Sequence, residues 1–222
     1  MLAEKLAQIE EFLAGKGIAL QVTRQPPLDD NEIAKVENIL GHRMPGDLRE
    51  IYLGFANGFS VDWDDVRSPD GGFARFSLAN IEAFMQGVLE FREETRDYDE
   101  NAGNCFDRPE EARLVLRRML NWGVLWSGGD GDCVCIDMES GAVVFHEREW
   151  ASYKTYINGY LIAPSYNSLI EDWGNVCFLF FVGCPGWCPS HGGSAVPDYD
   201  GQKYNILKEK KQQRRARNPP EM

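Results

Sequence analysis

The stretch from Pro27 to Gly58 constrains the fold more tightly than any other part of the chain, because it spells out two short helices together with their ends. Asp29 followed by Glu32 has the spacing of a capping box, in which the first side chain accepts from a free helix N–H and the second reaches back to the residue ahead of the helix. A helix is therefore predicted to start near Asp30. Ile33, Val36, Ile39 and Leu40 recur at steps of three and four and make one apolar stripe, and Gly41 can take the left-handed conformation that ends it. Pro45 suits the first turn of a second helix, where its missing N–H costs nothing. Leu48, Ile51, Tyr52 and Phe55 give that helix a buried face, and Asn57-Gly58 closes it. A pair of this kind builds a core, and nothing in it is catalytic.

These residues also resemble the signature of the SUKH superfamily: a Pro-Leu start, a helix ending in Leu-Gly, a Leu-Pro-like pair and an Asn-Gly. Here the positions read Pro27-Leu28, Leu40-Gly41, Met44-Pro45 and Asn57-Gly58, with Met44 as the one mild departure. The resemblance continues through the aspartate- and glycine-rich turn Gly129-Asp130-Gly131-Asp132, then Ile136-Asp137, Gly141 and Val143-Val144, and reaches Ala163-Pro164-Ser165-Tyr166 before the last helix. It covers roughly residues 25 to 175. Founding members of the superfamily are yeast regulators of cell-wall synthesis, and many bacterial members are immunity proteins against secreted toxins. The resemblance implies a SUKH-like α+β domain that binds another protein and is not an enzyme. The bound protein would be a cognate toxin, or, in the alternative, the role is regulatory or scaffolding with no toxin at all.

Before the helix pair, Leu2, Leu6, Ile9, Phe12 and Leu13 recur at helical spacing and predict an added N-terminal helix ended by Gly15 and Gly17. Phe59 to Asp65 alternates weakly, as a strand leading into the loop Ser68 to Gly72 would. Ile81, Phe84, Val88, Leu89 and Phe91 mark a longer helix that runs into the charged stretch Arg92 to Glu100. A further helix is expected from Pro109, with Ala112, Leu114, Val115, Leu116, Met119 and Leu120 on its core side. The second half is strand-rich, and the runs between Val124 and His146 read as an antiparallel meander with helices packed against it. A closing helix carries Tyr166, Leu169, Ile170 and Trp173. Residues 1–182 are expected to form one domain, and 183–222 a C-terminal extension whose basic end is mobile.

Charge is divided along the chain. Residues 1–202 hold 16 Lys and Arg against 33 Asp and Glu, whereas residues 203–222 hold 7 against 2. An acidic body argues against nucleic acid as the main ligand, since phosphate binding needs a basic footprint, and it would attract a basic partner. The basic tail reads as a solvated extension rather than a nucleic-acid arm. No apolar run reaches the roughly 20 residues of a membrane helix, and MLAEKLAQIEEF lacks the pattern of a secretory signal, so a cytoplasmic location is expected. There, the six cysteines are expected to be reduced; Cys133 and Cys135, two apart in a strand, would face the same side.

Cys177, Cys184, Cys188 and His191 are four soft ligands within fifteen residues, but their spacing departs from that of structural zinc sites, and a buried thiol is the simpler reading of Cys177. Asp130, Asp132 and Asp137 lack the order of a calcium loop and read as a solvated hairpin turn. His146 reads as a polar residue at a strand edge. With three histidines and no nucleophile elbow, phosphate loop or His-Glu-x-x-His motif, no catalytic residue, cofactor or small-molecule substrate is expected. Many toxins opposed by the superfamily are nucleases, which present basic active sites. The candidate surface for such a partner is Asp62, Trp63, Asp64 and Asp65 in one loop and Trp126, Asp130 and Asp132 in another. A second reading stands beside it, with both tryptophans in the core and the aspartates solvating turns.

Overall fold

The computed structural model describes residues 1–64, 73–102, 109–127, 132–147, 158–174 and 178. In chain order they form α1 (Leu2–Ala14), β1 (Gln21–Arg24), α2 (Asp30–Leu40), α3 (Gly46–Gly54), β2 (Phe59–Asp64), β3 (Phe73–Leu78), α4 (Ile81–Glu100), α5 (Pro109–Met119), β4 (Trp122–Ser127), β5 (Cys133–Asp137), β6 (Val143–His146), β7 (Tyr160–Ala163) and α6 (Tyr166–Gly174). The fold is α+β, with two antiparallel sheets.

The capping box is complete. The Asp29 carboxylate accepts from the Glu32 N–H at 2.9 Å, and the Glu32 carboxylate accepts from the Asp29 N–H at 2.9 Å. Gly41 ends α2 at φ 70°, in the left-handed region. Pro45 stands just ahead of α3 rather than in its first turn. The end of the pair is fastened to the start of α4: Tyr52 donates its hydroxyl to the Ala79 carbonyl at 2.8 Å, and the Asn57 amide oxygen accepts from the Ile81 N–H at 2.8 Å. Gly58 lies between them at φ 86°, and a Cβ there would come within 2.7 Å of the Asn80 nitrogen. The Asn-Gly of the signature is thus a helix cap and a close backbone approach at once.

The strands divide into two sheets where the sequence pattern suggested one. One has the order β1-β2-β3 and the other β4-β5-β6-β7, every neighbouring pair antiparallel. The expected meander is β4-β5-β6, extended by β7 and begun at Trp122. Its pleat sends Val134, Ile136, Val143 and Phe145 into the larger core, which also holds α1, α2, α3 and α6 side chains. Cys135 and Val144 point the other way, into a smaller core built with Phe91 of α4 and with Ala112, Val115, Leu116 and Met119 of α5; Cys133 packs partly buried against it. The two cysteines therefore share a face, as their spacing predicted. A bulge between Val124 and Trp126 turns Trp126 opposite Val134, toward the larger core.

α1 docks on α6. Leu2, Leu6, Ile9 and Leu13 are buried, and Lys5 lies against Gly174 while its ammonium meets Glu171 at 2.6 Å. Phe12 and Ile39, counted in the sequence among the buried stripes, are 55% and 58% exposed, and Leu89 is exposed as well. Each sits one residue from a buried position, about 100° around its helix, so a stripe read by spacing alone is wider than the face that packs.

Candidate partner-binding surface

β2 alternates strictly. Phe59, Val61 and Trp63 are buried, Ser60 and Asp62 are half-buried, and Asp64 is exposed. The register places Asp62 opposite Gln21 and Ser60 opposite Thr23, both exposed on β1, so the outer face of this sheet is polar. Asp62, Trp63 and Asp64 thus belong to the strand expected from Phe59 onward, not to a loop as their grouping in the candidate surface had it, and the period of two separates the aspartates from the indole. Trp63 is part of the larger core, as the second of the two readings has it, and not a surface anchor. Trp126 is half-buried against the same core, and Asp132 is half-buried just before β5. Asp65 and Asp130 lie outside the described residues, as do Cys177, Cys184, Cys188 and His191. Among the described residues no group of three His, Cys, Asp or Glu side chains is placed to hold a metal ion.

Among the described residues, α4 carries a long array of carboxylates, within the stretch that the sequence shows as charged. Ile81, Phe84, Val88, Phe91, Arg92 and Thr95 form the buried side of this helix. Glu82, Gln86, Glu90, Glu93, Asp97 and Glu100, at steps of four, four, three, four and three, run along its exposed side, with Glu94 beside them. Gln86 donates to Glu90 at 2.8 Å. Twenty residues make the helix that carries it about 30 Å long. Arg96 is the exposed cation among them. The signal was available, since the same three- and four-residue steps that identify an apolar face also identify a charged one.

Arg92 holds α4 in place from its buried side. Its Nε donates to the Leu120 carbonyl at 2.9 Å and its Nη1 to the Leu40 carbonyl at 2.7 Å. These carbonyls belong to the last residue of α2 and the residue after α5, so one guanidinium caps two helix C-termini, where the helix dipole favours positive charge. Burial, with Arg96 nearby, lowers its pKa from the usual arginine value.

Asp137 is 0% exposed, which corrects its reading as part of a solvated turn. Its Oδ2 receives Arg118 at 3.1 and 3.2 Å, and its Oδ1 accepts from the Glu139 N–H at 3.0 Å. The carboxylate thereby ties the end of α5 to the β5–β6 turn, whose Gly141 has φ 76°.

His146 is likewise buried rather than at a polar edge, and meets the Phe91 ring edge-on at 5.0 Å between centroids. Desolvation lowers its pKa to about 4, so the imidazole is neutral at pH 7. It stands opposite Cys133 in the β5–β6 register. An imidazole this weakly basic disfavours the imidazolium–thiolate pair that a cysteine nucleophile uses, and burial also raises the neighbouring Cys135 thiol well above its usual range.

Among the described residues, two antiparallel sheets packed with six helices, the capped pair α2 and α3 among them, form an α+β domain. The model of the SMI1 / KNR4 family (SUKH-1) matches residues 27–172, well over half of the chain, and the chain belongs to that family. No curated protein matches it. No helix among the described residues is long and apolar enough to cross a membrane.

Proposed function

We propose that this chain is a non-enzymatic protein-binding module, and specifically an immunity protein that holds a basic toxin domain in the cytoplasm of the cell that makes it. The observation that carries the reading is the excess of exposed carboxylates on the outer side of α4, with exposed Asp64 and half-buried Asp62 on β2. A body with 33 acidic against 16 basic side chains over residues 1–202 accelerates encounter with a cationic protein. A toxin that cleaves nucleic acid presents Lys and Arg where phosphate would bind, and a rigid line of carboxylates would pair with them and block that site. Family membership supports this role and supports equally the alternative of a regulatory or scaffolding protein without a toxin. Neither role requires a cofactor, a small-molecule substrate, a membrane or nucleic acid.

The two are separated by co-expressing the chain with the protein encoded beside it and purifying the pair at low and raised salt. The immunity reading expects a complex that weakens as salt rises. Absence of a complex at low salt would leave the regulatory reading.

A further inference from the structure

We draw no further inference here: the strongest candidate, the carboxylate stripe along the exposed side of α4, belongs to the surface already described, and nothing among the described residues shows what covers it.

Discussion

At the scale of single residues, the glycines of the signature divide by what surrounds them. Gly41 and Gly58 both have positive φ, but a Cβ at Gly41 meets nothing within 4 Å, whereas one at Gly58 meets the backbone of Asn80 at 2.7 Å. Gly41→Ala should therefore cost only the left-handed conformation, about 1 kcal/mol, while Gly58→Ala should cost roughly 3 kcal/mol or more. Urea unfolding of both variants checks this, and equal losses would contradict the assigned contact. His146 makes a second test. In the unfolded chain its imidazole protonates as pH falls through 6.5, but in the folded protein only near pH 4. Protons then favour the unfolded state across that window, and up to about 3 kcal/mol of stability should be lost between pH 6.5 and 4. Because carboxylates titrate at the lower end, the informative quantity is the difference from His146→Phe, whose stability should fall less steeply with acid; parallel pH profiles would refute the buried, neutral imidazole.

At the scale of elements, Arg92 joins three helices through one side chain. Arg92→Met should remove both charge-assisted hydrogen bonds and cost roughly 2 to 4 kcal/mol, and Arg92→Lys, whose ammonium lacks the guanidinium fork, should restore less than half of that. Denaturant midpoints decide it; a lysine variant as stable as the parent would show that the two carbonyls do not depend on the fork. Such long-range ties also explain what could and could not be seen in the sequence. The α2 bounds were legible because Asp29, Glu32 and Gly41 act within a few residues of themselves, whereas Asn57-Gly58, read as the stop of the second helix, lies beyond the end of α3 at Gly54 and acts on the start of α4. Of the strands, β4 to β6 were legible through their short turns, but β1, β3 and β7, though no shorter, were not, since their partners lie far along the chain or beyond a longer connection. Within the candidate surface, the alternation that buries Trp63 was present in Phe59-Ser60-Val61-Asp62-Trp63-Asp64, yet those side chains were grouped by chemistry instead of by face. Nothing local marks Arg92 or Asp137 as buried, because their partners are Leu40, Leu120 and Arg118.

At the scale of the whole molecule, recognition is argued from charge, and charge can be changed without disturbing the core. Glu90, Glu93, Glu94 and Asp97 are exposed, so the fourfold change to Gln, Gln, Gln and Asn should leave the far-UV spectrum and melting behaviour close to those of the parent. It should slow association with a basic partner about tenfold and flatten the dependence of that rate on salt. Stopped-flow or biosensor kinetics would show both effects, and an unchanged association rate would move the interface off α4, leaving the outer face of β2 as the next surface to alter. The most direct measurement of the central claim is growth of cells that express the neighbouring protein, with and without this chain. The account predicts arrest without the chain, rescue with it, and weaker rescue with the fourfold variant. A neighbouring protein that is harmless alone, or that remains lethal beside a well-expressed, folded copy of this chain, would contradict it.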